Sequence, residues 1–174
     1  MITLKYKDEE DRAYGLSGMV VSMYLLDNER YIDSISLDAE PDMGMQFTAD
    51  FFHQPNPNLS PKAVWNDSLS RFNLLNSLLL SNLMSRALVR HNENITRELY
   101  QLLMNMLIDE GHDLCSLDED EIKELYNKNF SYYHEVFSND TVNRTVRGIA
   151  DMLRRERILD SEALYACMRP MRRW

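Results

Sequence analysis

Residues 69–89 read LSRFNLLNSLLLSNLMSRALV, twenty-one positions of which twelve are Ala, Val, Leu, Met or Phe and two, Arg71 and Arg86, carry charge. At 100° per residue Leu69, Phe72, Leu79, Leu80, Leu83 and Ala87 share one face, while Leu74, Leu75, Leu78, Met84 and Leu88 spread over the others. A helix of that kind needs partners on more than one side. The segment therefore predicts a helical assembly around a central, largely buried element, either inside one chain or shared between two. Asn76 falls within the apolar face, so it is expected to be buried with its amide hydrogen-bonded across a helix or subunit interface, since an unpaired buried amide is costly.

The rest of the chain fits a helix-rich globule. Its 174 residues suit one domain, and five Gly and five Pro are too few for a many-stranded sandwich. Cys115 and Cys167 lie far apart with no Cys-x-x-Cys pair, and the first residues show no basic region followed by an apolar run. Both features fit a reducing, cytoplasmic setting. Apolar runs such as Met23 to Leu26 fall far short of the ~18 residues a membrane span needs.

Patterning divides the chain into a small N-terminal α/β element, residues 1–58, and a helical bundle, residues 59–174. The fold class expected is α+β, mainly α: a small hairpin or three-stranded sheet with one helix, followed by about five helices. Ile2, Leu4 and Tyr6 alternate with polar residues as in a strand, which Asp8 to Asp11 ends. Ala13 to Leu26 has helical spacing weakened by Gly15 and Gly18. Ile35 and Leu37, then Met45, Phe47, Ala49 and Phe51, alternate around Glu40-Pro41-Asp42-Met43-Gly44, which reads as a hairpin. Three prolines between His53 and Pro61 mark a loop, and Ser60-Pro61 opens a helix that runs to about Arg90. A further helix is expected to stop at Gly111. Ser116 with Glu119 forms a capping box for the next, Asn139 or Asp140 caps another, and a last short helix from Ser161 ends before Pro170.

Charge is uneven. Residues 144–174 hold eight Arg against four acidic side chains, a net +4, which leaves 11 basic and 24 acidic residues, −13, before them within the total of −9. An acidic body repels phosphates, so any nucleic-acid contact is confined to the C-terminal part.

No catalytic motif is present: HExxH, GxSxG, a P-loop and GxGxxG are all absent. The acidic cluster Asp109, Glu110, Asp113, Asp118, Glu119, Asp120, Glu121 and Glu124 fails the EF-hand template, and acidic residues in a first turn are favoured by the helix dipole anyway. His112, Cys115, His134 and Cys167 have no recurrent zinc spacing. No catalytic, cofactor-binding or metal residue is assigned. The interaction candidates are Leu75 and Leu78 on the long helix, Tyr132, Tyr133 and Phe137 in the aromatic segment 130–137, and Arg154, Arg155 and Arg157; Arg169, Arg172, Arg173 and Trp174 form a basic tail. The leading expectation is a non-catalytic protein–protein interaction or oligomeric protein, with itself as partner, most simply a dimer through the long helix or the aromatic segment. The alternatives are a nucleic-acid-associated protein using the C-terminal arginines, and an enzyme or metal protein whose site is dispersed along the chain.

Overall fold

A computed structural model describes residues 3–40, 43–52 and 60–173. These form six α-helices and one three-stranded antiparallel sheet, an α+β fold that is mainly α. The helices are α1 (Glu9–Leu25), α2 (Pro61–Met84), α3 (Arg97–Cys115), α4 (Glu119–Phe137), α5 (Asp140–Glu156) and α6 (Ser161–Met168). The strands are β1 (Ile32–Ser36), β2 (Met45–Phe47) and β3 (Ile158–Asp160), in the order β2-β1-β3. Ile2, Pro41, Asp42, the loop from His53 to Leu59 and Trp174 lie outside the described residues.

The expected hairpin forms, with Ile35 opposite Met45 and Ile32 opposite Phe47. Its third strand is not the N-terminal segment. β3 pairs on the other edge of β1, placing Leu159 opposite Ile35. Leu4 and Tyr6 are not in a strand, because side chains claim the backbone around them: the Lys5 carbonyl accepts from Arg86 Nη2 (2.9 Å) and the Lys7 amide donates to Asp11 Oδ2 (3.0 Å). The acidic run Asp8 to Asp11 does not interrupt structure but starts it. Asp8 is the N-cap of α1, accepting from the Asp11 amide at 2.7 Å, and Glu9, Glu10 and Asp11 occupy the favoured first turn.

α2 is central within the single chain, with α1, α3 and α4 packed around it. This accounts for its many apolar faces, since Phe72, Leu78, Leu80, Leu83 and Met84 are all buried. The α1–α2 crossing is close because α1 presents Gly15 and Gly18. A Cβ on Gly18 would run into the Ser81 carbonyl and the Ser85 side chain. The glycines that lower helix propensity are thus what lets the two backbones approach. Serine hydroxyls along the seam find local or cross-helix partners: Ser85 donates to the Tyr14 carbonyl (2.7 Å), and Ser22 bonds the Tyr133 hydroxyl (2.8 Å). Asn76 is 1% exposed, as its place in the apolar face requires, but its amide finds no hydrogen-bond partner among the described residues.

Beyond Met84 the helix widens into a π-helical segment, Ser85–His91, for which the sequence carries no signal. This segment aims Arg86 and Arg90 at the first turn of α1. Arg86 Nη2 lies 2.6 Å from Asp11 Oδ2, and both side chains are fully buried. Arg90 Nη1 approaches Asp11 Oδ1 at 2.9 Å, and its Nη2 bonds Asp8 and Glu10. Arg86 also stands over the Tyr6 ring, 5.0 Å from its centroid. Burial pushes the Asp11 carboxyl up. The Arg86 hydrogen bond, the Lys7 amide and the Arg86 charge outweigh it, so the carboxyl is held below its ordinary range.

Two helix ends differ from the sequence expectation. α3 passes through Gly111, which is buried against Phe72 and Ile122, and stops at Ser116, whose backbone is left-handed (φ 54°). Ser116 is therefore the C-cap of α3. The capping box belongs to Asp118 and Glu121, two residues later: the Glu121 amide donates to Asp118 and the Asp118 amide to Glu121. Two overlapping boxes compete in Ser-Leu-Asp-Glu-Asp-Glu, and the turn between the helices selects the second.

Four substitutions probe the stability of these features. In urea titrations Asp118→Ala lowers stability by about 1 kcal/mol, whereas Ser116→Gly, which relieves the left-handed strain, raises it by a few tenths. Asn76→Leu raises it by about 1–3 kcal/mol, because it removes a buried unpaired amide at similar volume; a lower midpoint would mean that the amide has a partner. Asp11→Asn costs about 3–5 kcal/mol at neutral pH by leaving Arg86 uncompensated. Since the Asp11 carboxyl is depressed in the folded state, its contribution is complete above the ordinary value of 3.8 and is lost as pH falls through the lower folded value. The acid limb of a stability-versus-pH curve is accordingly shallower in Asp11→Asn.

Candidate functional site

α5 decides which arginines face outward. Val142, Val146, Ile149 and Leu153 form its buried stripe. At 100° per residue Arg147 and Arg154 then fall on one flank, while Arg144, Gly148 and Arg155 share the outward face. The flank arginines are engaged internally. Arg147 donates to the Val89 carbonyl at the end of the π segment, and Arg154 pairs with Glu10 at 2.9 Å. Arg157, with a left-handed backbone at the C-cap of α5, pairs with Glu9 at 2.6 Å and Asp38 at 2.7 Å. The bonds to Glu9 and Asp38 hold its guanidinium well above its ordinary pKa. Arg154 and Arg157 therefore lock the C-terminus of α5 to α1 and the hairpin. Of the three arginines singled out on α5 and its C-cap, Arg155 alone is exposed with no ion-pair partner among the described residues.

Beside this outward face runs an open groove of about 740 Å³. Thr141, Arg144, Thr145, Gly148 and Met152 of α5 form one wall, and Cys167, Arg169 and Pro170 at the end of α6 form the other. Gly148 leaves the floor open: a Cβ there would meet nothing within 4 Å. A second depression of about 470 Å³, lined by Asp140, Asn143, Arg144 and Arg147, adjoins it through Arg144. Arg144 donates to the Asp140 carbonyl through Nε, at 3.3 Å, and its Nη atoms make no hydrogen bond among the described residues. Neither Arg144 nor Arg169 has an ion-pair partner among the described residues. Burial raises the Cys167 thiol pKa, as it does that of Cys115, which favours the neutral thiol.

The other candidates separate. Leu78, Tyr133 and Phe137 are buried in the chain's own core and present no contact surface; α1, α3 and α4 cover the side of α2 that Leu78 was expected to offer a partner. Leu75 and Tyr132 do reach the surface, at 37% and 44% exposure. His112 is exposed, Cys115 is buried, His134 lies against Asn94 at 3.3 Å and Cys167 sits in the groove. No three His, Cys, Asp or Glu side chains converge to hold a metal ion among the described residues. The acidic cluster lies at the α3–α4 corner with all eight carboxylates exposed; Asp118 and Glu121 form the capping box and Glu119 pairs with Lys123 at 2.5 Å. Leu114 (50% exposed) projects from the same corner, and Trp65 (44%) is tied there by its indole N–H to the Cys115 carbonyl, 3.0 Å.

In the sequence, Arg144 was visible as one of the C-terminal arginines on a helix, and Arg169 as part of the basic tail. The stripe of α5 identifies Arg144 as outward-facing. Nothing local identifies Cys167, Arg169 and Pro170 as the facing wall, which depends on how α6 returns along α5. No described helix is long and apolar enough to cross a membrane. No family model, no curated protein and no solved structure matches this chain.

Proposed function

We propose that this is a non-catalytic interaction protein whose groove between α5 and the end of α6 takes up an acidic segment of a protein partner. The observation that carries this reading is the division of the arginines. Arg86, Arg90, Arg154 and Arg157 all meet carboxylates of the chain itself, while Arg144 and Arg169 both line the groove without an ion-pair partner among the described residues. Guanidinium groups held at a concave surface and lacking an internal anion are complementary to carboxylates brought by a ligand. The walls between them, Thr141, Thr145, Met152 and Pro170, mix hydroxyls with apolar area, as at ordinary protein–protein contacts.

A protein segment suits the groove better than nucleic acid. From Thr141 to Met152 the α5 wall extends ~17 Å at 1.5 Å per residue, and the net charge of the molecule is −9. A short carboxylate-bearing segment contacts the groove without bringing a long polyanion against the acidic body.

The test is fluorescence anisotropy with a labelled Glu-rich peptide of about ten residues and, separately, a single-stranded oligonucleotide of equal charge. The peptide binds the wild type at low salt, Arg144→Glu with Arg169→Glu weakens it about tenfold or more, and Gly148→Leu, which fills the groove without altering charge, does the same. Equal binding by wild type and both variants, or preference for the oligonucleotide, overturns the proposal.

A further inference from the structure

Resting on that reading, we infer that the acidic segment is the α3–α4 corner of a second copy of this chain, inserted into the groove, with the contact repeated reciprocally about a two-fold axis. The argument begins with complementary shape and charge. The groove is concave, basic at Arg144 and Arg169, and lined between them by Met152, Cys167 and Pro170. The corner is a helix–turn–helix projection with eight exposed carboxylates, against which Lys123 is the one cation between Asp109 and Glu124. Leu114 stands at half exposure among those carboxylates, with Trp65 beside it. An apolar knob ringed by anions thus meets an open, partly apolar channel rimmed by cations. Ion pairs at the rim set register and orientation, and the buried Leu114 supplies contact area.

The two surfaces do not reach each other within one molecule. The corner sits at the N-terminal end of α4, and the Thr141–Arg144 end of the groove follows its C-terminal end. Nineteen residues of helix separate them, ~28 Å, against a screening length of about 8 Å at physiological salt. Complementary patches on opposite ends of one chain are satisfied between molecules. In a head-to-tail series each contact leaves one corner and one groove open. A two-fold pair closes both, because each molecule then gives its corner and receives its partner's.

The experiment is light scattering on the full chain at micromolar concentration, at about 0.05 M and about 0.5 M salt, with two charge-reversal variants. One carries Arg144→Glu and Arg169→Glu in the groove; the other carries Glu110→Arg and Asp113→Arg at the corner, all four positions being exposed. The expected mass is twice the chain for wild type at low salt and falls toward the single chain at high salt. Each variant alone has the mass of a single chain. An equimolar mixture of the two returns to twice the chain, since reversed groove meets reversed corner while the native pair is kept. Restoration in the mixture also shows that neither variant lost its fold. A wild type that stays single, variants that stay double, a mixture that stays single, or masses that grow without limit overturn the inference. The same samples are titrated with the labelled Glu-rich peptide. A single-chain wild type that still binds the peptide through Arg144 and Arg169 leaves the proposed function standing without self-association, whereas peptide binding indifferent to those residues removes both.

Discussion

The buried ion pair between Asp11 and Arg86 is the constraint on which the rest of the structure depends. Two fully buried charges 2.6 Å apart are tolerated only when other groups meet most of their remaining donors and acceptors, and the fold is arranged to do so, with Arg86 Nε the donor left without a partner among the described residues. Arg90 takes the second oxygen of Asp11, the Lys7 amide takes a lone pair, the Lys5 carbonyl takes a guanidinium hydrogen and Tyr6 lies under the guanidinium plane. The N-terminal segment is held against the bundle by these bonds, so it does not join the sheet. The π-helical segment has the same origin, since it is where α2 turns its arginines onto the first turn of α1.

Placing those charges requires α1 and α2 to pass closely, and the small residues of the seam permit it. Gly15 and Gly18 on one helix meet Asn82, Ser81 and Ser85 on the other. Serine hydroxyls in this seam are buried: the Ser85 bond to the Tyr14 carbonyl ties the continuation of α2 to α1, and the Ser22–Tyr133 bond ties α1 to α4. The long apolar helix therefore completes its environment inside one chain, with polar groups distributed through it as ties between helices. Asn76 departs from that rule: both its amide nitrogen and its amide oxygen are buried without a hydrogen-bond partner among the described residues.

The same electrostatic logic shapes the surface. Carboxylates at the start of α1 gather Arg86, Arg90, Arg154 and Arg157 from two distant parts of the chain. Away from these pairs, the α3–α4 corner carries eight exposed carboxylates, while Arg144 and Arg155 on α5 and Arg169 are exposed with no ion-pair partner among the described residues. A chain whose net charge is −9 thereby carries a groove lined by Arg144 and Arg169.

Local features were legible in the sequence because they depend on neighbours along the chain. The hairpin around residues 40–44, the Ser60-Pro61 helix start, the apolar stripe of α5 and the excess of arginine after residue 143 all follow from spacing and composition. The tertiary structure alone decided which features were internal. Whether Leu78, Tyr133 and Phe137 face a partner or the core depends on where α1, α3 and α4 pack. Whether Arg154 and Arg157 are free depends on Glu10, Glu9 and Asp38, more than a hundred residues away. The third strand of the sheet comes from residues 158–160 for the same reason. Between Ser116 and Asp118 the competing caps are almost equivalent locally, and the turn geometry chose. Periodicity reports how apolar a face is, but the identity of what covers it is set by contacts between residues as far apart as Asp11 and Arg86, and no local pattern encodes those.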